Sequence, residues 1–142
     1  MSTPVYARDL MTTDLVVLEE SQHLGNIETS MRALRFRHMP VVDGKKLVGL
    51  VSERDLLRTA GSSLLPHKHK QDQFIDQHFR VADIMSRDVV SVAPDAALVD
   101  VAAQMSAQKL GCMPVVRADG ILVGLITEAD FVRLARQLLP RP

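Results

Sequence analysis

The chain reads as an α/β (α+β) protein built from two tandem β-α-β-β-α repeats, and three observations lead there. The sequence matches itself at a nearly constant offset, both copies carry the same succession of apolar periodicities, and a polar stretch separates them. Asp9-Leu10-Met11 returns as Asp83-Ile84-Met85, an offset of 74 that also carries Asp14, Val16, Leu24, Met31 and Ala33 onto Asp88, Val90, Leu98, Met105 and Ala107. Met39-Pro40-Val41-Val42 falls on Met113-Pro114-Val115-Val116, and one extra residue near Asp119 then moves the offset to 75. Beyond it, Leu47-Val48-Gly49-Leu50-Val51-Ser52-Glu53-Arg54-Asp55 lies over Leu122-Val123-Gly124-Leu125-Ile126-Thr127-Glu128-Ala129-Asp130, with Arg58 over Arg133. A unit of about 55 residues is too long for a solenoid repeat and short for an independent domain, so the copies are expected to pack their apolar faces together.

Each element has a local reason. Leu15 to Leu18 is a short apolar run, read as an opening strand. Leu24, Ile27, Met31 and Leu34 recur at three- and four-residue steps, which places them on one face of a helix. Met39–Val42 and Leu47–Val51 are short runs rich in β-branched residues, separated by Asp43-Gly44, the strongest brief hairpin signal in the chain. The second copy has Ala118-Asp119-Gly120 there. Ser52 opens a second helix through Leu56, Leu57 and Ala60; Thr127 opens its counterpart through Phe131, Val132, Leu134 and Ala135. The repeats are set at residues 5–60 and 79–136. The connector, 61–78, holds Gly61-Ser62-Ser63, Pro66 and the polar run His67 to Gln73; at that length it is either mobile or partly helical around Phe74-Ile75-Asp76.

Bulk properties narrow the function. The chain has 142 residues, 46% of them apolar, enough for a real core. Lys plus Arg balances Asp plus Glu at 17 each, so no global field favours nucleic acid or an anionic membrane, and any anion site must be local. The absence of Trp argues against stacking platforms for single strands. No basic-then-apolar leader opens the chain and no apolar run reaches the roughly 20 residues of a membrane span, so a cytoplasmic location is expected. The single cysteine, Cys112, excludes an intrachain disulfide and any CxxC site.

The two Gly-apolar-apolar-Ser/Thr-x-x-Asp segments, Gly49 to Asp55 and Gly124 to Asp130, together with the apolar-Pro-Val-Val and Asp-apolar-Met segments, resemble the CBS domain, the cystathionine-β-synthase-type repeat whose pairs form Bateman modules. The resemblance covers most of the chain outside the connector. It implies a pseudo-two-fold pair packed through its sheets, with two clefts that take AMP, ADP, ATP, S-adenosylmethionine or a related adenosine compound. It further implies a homodimer, no catalysis and no resident cofactor, and regulation of a partner protein that the sequence does not name.

Within that resemblance the residues divide by chemistry. Asp55 and Asp130 are acceptors suited to two vicinal hydroxyls, so ribose is the expected neighbour, as in the family. Ser52 and Thr127, with the backbone N–H groups at the helix starts, can donate to a phosphate. In the family the adenine slot draws on the opening strand of the opposite repeat, which points to Thr12 and Val16 or Ser86 and Val90, beside the segments leading to Pro40 and Pro114. The first copy carries Arg37-His38 before Met39-Pro40, and Arg54 in its Ser-x-x-Asp; the second has Gly111-Cys112 before Met113-Pro114, and Ala129. The Asp55 cleft should therefore prefer polyphosphate, and the Asp130 cleft should bind weakly, take a less charged ligand or stay empty.

A competing account is purely local. Ser/Thr followed three residues later by Asp is also a helix N-terminus, in which hydroxyl and carboxylate satisfy the first turn and do nothing more. The two roles are compatible, and a structural dimerisation module without ligand is the alternative function. Cysteine chemistry at Cys112 with His38 lacks a third group to orient a base. Zinc or nickel at His67, His69 and His78 is weakened by the lysines between them, and neither catalysis nor a metal site is expected.

Overall fold

A computed structural model describes residues 3–24, 37–60 and 80–142. The first-copy helix beyond Leu24 and the connector lie outside the described residues. In chain order the elements are α1 (Ala7–Leu10), β1 (Leu18–Glu19), β2 (His38–Asp43), β3 (Lys46–Ser52), α2 (Glu53–Ala60), α3 (Val81–Ile84), α4 (Leu98–Gln108), β4 (Cys112–Val116), β5 (Leu122–Thr127) and α5 (Glu128–Leu138). The protein is mixed α/β, as the repeats predict.

The compact units are not the sequential repeats. One unit is Val16–Val89; the other joins Met1–Leu15 to Val90–Pro142. The Asp-apolar-Met segment of each copy has thus been exchanged: residues before Leu15 fold with the second copy, and residues 80–89 with the first.

In the unit Val16–Val89, β2 lies between β1, parallel, and β3, antiparallel, with Leu18 beside Val41 and Met39 beside Val51. The core collects Leu18, Leu24, Met39, Val41, Val51 and Leu56, closed by Val81 and Met85 from the exchanged segment. The second unit repeats this with the β4–β5 hairpin, where Met113 faces Ile126 and Val115 faces Gly124. Its core holds Leu98, Val101, Met105, Met113, Val115 and Ile126, with Ala7 from α1. Leu98, Val101 and Met105 follow the three- and four-residue steps of one helix face, so α4 buries the expected stripe. Each such side chain taken out of water is worth about 1.5–3 kcal/mol.

Two local expectations need correction. The run Leu15 to Leu18 forms a ladder only at Leu18–Glu19, and its counterpart is a single bridge, Val92 to Val115. Only those residues lie beside a neighbouring strand, while Val16 and Val17 remain 44% and 38% exposed. The tight turn is Gly44-Lys45 and not Asp43-Gly44, because Asp43 still pairs with Lys46. Gly44 then takes the first central position with φ +66°, a left-handed backbone that glycine adopts without a Cβ penalty.

Candidate functional site

The exchanged segments begin with a one-turn helix whose aspartate turns back on the chain before it. Asp9 accepts the N–H groups of Val5 (3.1 Å) and Tyr6 (2.8 Å), and Asp83 accepts that of Arg80 (2.7 Å). The two backbone bonds at Asp9, with the Arg8 charge beside it, hold its carboxyl below the usual carboxylate range. The methionine that follows packs on the signature glycine of the facing hairpin. A Cβ on Gly49 would stand 2.5 Å from Met85 Sδ and 3.0 Å from the Ser86 carbonyl; one on Gly124 would meet the Met11 side chain, within 2.9 Å even of its Cβ. The glycine of Gly-apolar-apolar-Ser/Thr is therefore a notch for a methionine, a role that the repeat alignment could have exposed by pairing Met11 with Met85 and Gly49 with Gly124.

The next residue in each segment is fastened by a pair of backbone bonds. Thr12 N–H donates to the Leu125 carbonyl (2.9 Å), and the Thr12 carbonyl accepts from the Leu125 N–H (3.0 Å); Ser86 and Leu50 exchange bonds in the same way (2.9 and 3.0 Å). Leu50 and Leu125 sit two residues before Ser52 and Thr127, so each exchanged segment ends against a strand–helix junction.

At that junction the hydroxyl and carboxylate close a reciprocal box. Ser52 N–H donates to Asp55 Oδ2 (2.8 Å) while Asp55 N–H donates to Ser52 Oγ (3.1 Å). Thr127 N–H donates to Asp130 Oδ2 (2.8 Å), Thr127 Oγ1 lies 3.2 Å from the same oxygen, and Asp130 N–H donates to Thr127 Oγ1 (3.3 Å). The first helical N–H is also taken, Glu53 by the Arg37 carbonyl (2.9 Å) and Glu128 by the Gly111 carbonyl (3.2 Å). The sequence pattern is thus a capping box in both copies. Among the described residues, the N–H groups of Arg54 and Ala129 are the donors of these first turns left without a protein acceptor.

Each carboxylate has an arginine one helical turn on, Arg58 and Arg133, the pair that the repeat alignment superposes. Arg133 bonds directly to Asp130 Oδ1, while Arg58 Nη2 stops 3.9 Å from Asp55 Oδ1. The Asp130 side chain is 5% exposed and that of Asp55 12%.

The candidate residues divide between the units. Ser52, Arg54, Asp55, Arg37, His38, Met39, Pro40 and Ser86 belong to one; Thr12, Thr127, Asp130, Cys112, Met113 and Pro114 belong to the other. Ser86 thus lies in the unit of Asp55, and Thr12 in that of Asp130. Val16 and Val90 part from them: Val16 falls in the unit of Asp55, and Val90 packs on the Met113–Val115 core in that of Asp130. Met39, Pro40, Cys112, Met113 and Pro114 are interior, so their side chains fill core. Burial pushes the Cys112 thiol up to about 12, which leaves it protonated and unreactive near neutrality. Arg37 and Arg54 are exposed and flank one helix start through the Arg37–Glu53 backbone bond. Among the described residues no three His, Cys, Asp or Glu gather as a metal site, and no helix is long and apolar enough to cross a membrane. The three connector histidines lie outside them.

Two strand–helix junctions closed by hydroxyl–carboxylate boxes, each braced by a segment exchanged from the other copy, define a tandem-repeat α/β module. The chain belongs to the CBS domain family, whose model matches residues 7–61 and 81–136. It is 37% identical to a Vibrio cholerae protein assigned to acetoin utilization (AcuB), whose structure superposes with a TM-score of 0.79 over 96% of this chain and 98% of that one. The CBS-pair protein CBSX2 of Arabidopsis thaliana is 28% identical, with a TM-score of 0.81 over 96% and 97% of the two chains, and CBSX2 has been solved in complex with AMP. Among curated relatives, protein MJ1225 of Methanocaldococcus jannaschii is 29% identical over 88% of this chain. The chain spans 45% of that relative's length and 23% of the next, an inosine-5'-monophosphate dehydrogenase of Korarchaeum cryptofilum.

Proposed function

We propose that the protein is a regulatory module that binds an adenosine-containing ligand, AMP, ADP, ATP or S-adenosylmethionine, and modulates a partner protein in trans without turning the ligand over. The observation that carries this reading is the double assembly of one constellation: exchanged segment, paired backbone at Leu50 or Leu125, and a hydroxyl–carboxylate box two residues on. The AMP complex of CBSX2, matched over 95% of this chain and 98% of that one, supports the ligand class.

In this reading Asp55 and Asp130 accept from ribose, while Ser52, Thr127 and the N–H groups of Arg54 and Ala129 face phosphate. The adenine lies beside the backbone of Thr12 or Ser86. The Asp55 site takes the more highly charged ligand, because Arg37 and Arg54 stand at that helix start and neither makes an ion pair among the described residues. The module works in the cytoplasm as a homodimer, with repeats at 5–60 and 79–136. Ligand that binds one arrangement of the repeats better than another biases whatever partner prefers that arrangement.

The alternative, a dimerisation module without ligand, has one observation in its favour: the boxes are complete without any guest. A thermal-shift titration with the four ligands separates the two. A true ligand at 100 times its Kd raises stability by about 2.7 kcal/mol. Asp55→Asn keeps an acceptor for the Ser52 N–H but loses the charge. A shift in the wild type that Asp55→Asn abolishes supports the sensor; no shift with any ligand leaves the dimerisation module.

A further inference from the structure

We propose that Met11 is a reversible redox switch: a peroxide converts its thioether to the sulfoxide, which no longer fits the Gly124 notch and releases the segment 5–12 from the β4–β5 hairpin. The switch needs no adenosine ligand to operate.

The notch has no spare volume. Gly124 is buried, the Met11 Cβ and Cγ stand 2.9 and 2.7 Å from where a Cβ on Gly124 would lie, and Sδ is nearer still. The thioether therefore lies flush on the strand backbone. Oxidation adds an oxygen to that sulfur and makes an apolar group polar. Turned to the strand, the new oxygen meets atoms already in contact; turned into the core, it lacks a hydrogen-bond donor and costs free energy. Lifting the side chain into water satisfies it.

Little else holds the segment. The side chains it gives to the core are Ala7, Leu10 and Met11, of which only Ala7 is fully buried. Backbone bonds join Leu98 N–H to the Val5 carbonyl (2.8 Å), Ala7 N–H to that of Ala96 (2.8 Å) and Arg8 N–H to that of Pro94 (2.9 Å), and the Thr12–Leu125 pair directly follows Met11. Water can replace each partner, so loss of the methionine anchor is felt first at Thr12 and, through Leu125, two residues before Thr127.

Met11 is also the methionine that a solute reaches first. Among the described methionines, Met39, Met85, Met105 and Met113 are at most 8% exposed, and Met11 is half-buried. Met85 rests on Gly49 with the same geometry but without the access. The sulfur lone pair attacks one peroxide oxygen, the O–O bond breaks, that oxygen stays on sulfur and the other leaves as water. Sulfur is thereby oxidised, and the peroxide reduced, by two electrons. A methionine sulfoxide reductase supplied with a thiol removes the oxygen as water and restores the contact.

Hydrogen peroxide added to the full chain, with peptide mass mapping and amide hydrogen exchange on the same samples, tests this. Met11 should form its sulfoxide before Met39, Met85, Met105 and Met113. As it does, the Thr12 and Leu125 amides should exchange about tenfold faster or more, and the reductase with dithiothreitol should restore their protection. Met11→Leu, apolar and of similar volume, should keep that protection under the same peroxide, and Met85→Leu should not. Met11→Gln, polar and of like length, should lose it with no peroxide present. Circular dichroism checks that each variant keeps its fold. Sulfoxide at Met11 with both amides still protected, equal loss of protection in Met11→Leu, full protection in Met11→Gln, or earlier oxidation of a buried methionine overturns the switch.

Discussion

Asp130 shows how a single carboxylate carries two demands. As an N-terminal cap it holds the Thr127 N–H, and as a nearly buried charge it must find partners for its remaining lone pairs, which Thr127 Oγ1 and Arg133 supply. Replacing it with Ala should cost about 1 kcal/mol, measured by urea unfolding, whereas Asn should recover most of that loss. Gly124 is the other residue under tight constraint. Gly124→Ala sets a methyl group against the Met11 side chain and should cost about 1–3 kcal/mol, read in the same way. Cys112 sets an alkaline limit. Its folded-state value of about 12 lies above the ordinary 9.0, so below pH 9 both states hold the proton and its contribution is fully present. Between pH 9 and about 12 the unfolded chain ionises first, and stability should fall by at most about 1.4 kcal/mol per pH unit. Cys112→Ala should flatten that part of the stability curve, and the folded thiol should resist alkylation at pH 8 while the urea-unfolded chain reacts. Ser52-x-x-Asp55 and Thr127-x-x-Asp130 were legible as caps from spacing alone. The arginine partners were not, because a residue one turn further on reads as ordinary helix surface until its guanidinium is seen on the carboxylate.

At the scale of elements, hydrophobic periodicity predicted most of the architecture. The runs around Val41, Val51, Val115 and Ile126 became the paired strands, and the three-and-four spacing from Leu98 became α4. The opening strands were over-read because an apolar run needs a neighbour to form a ladder, and only Leu18–Glu19 and Val92 have one. The one-turn helices α1 and α3 went unread since four residues carry no period; their aspartates cap them from within. The end of α4 carries a removable strain. Lys109 sits there with φ 55°, a left-handed position where a Cβ is unfavourable, and its N–H still bonds to the Met105 carbonyl. Lys109→Gly should raise stability by up to about 1 kcal/mol, seen as a higher urea midpoint at unchanged slope.

At the scale of the molecule, the exchange of segments sets what can fold. Residues 5–60 form a repeat in sequence but lack Val81 and Met85, which close the core they need. A fragment covering 16–89 should therefore show a cooperative thermal transition, and one covering 5–60 should not. A transition in both would mean that the hairpin and its helix suffice without the exchanged segment.

By itself the sequence determined that there are two copies, where their hairpin strands and the helices α2, α4 and α5 run, and that each copy starts its last helix with a hydroxyl and a carboxylate. Those properties are local: periodicity, turn chemistry and capping act over fewer than about ten residues. Only the tertiary structure decided that Met11 rests on Gly124 and Met85 on Gly49, that the opening segments change places, and that the Arg133 guanidinium bonds to Asp130 while Arg58 Nη2 lies 3.9 Å from Asp55 Oδ1. These are contacts between residues distant in the chain, or differences of an ångström or two between equivalent side chains, and they depend on how the core closes around them.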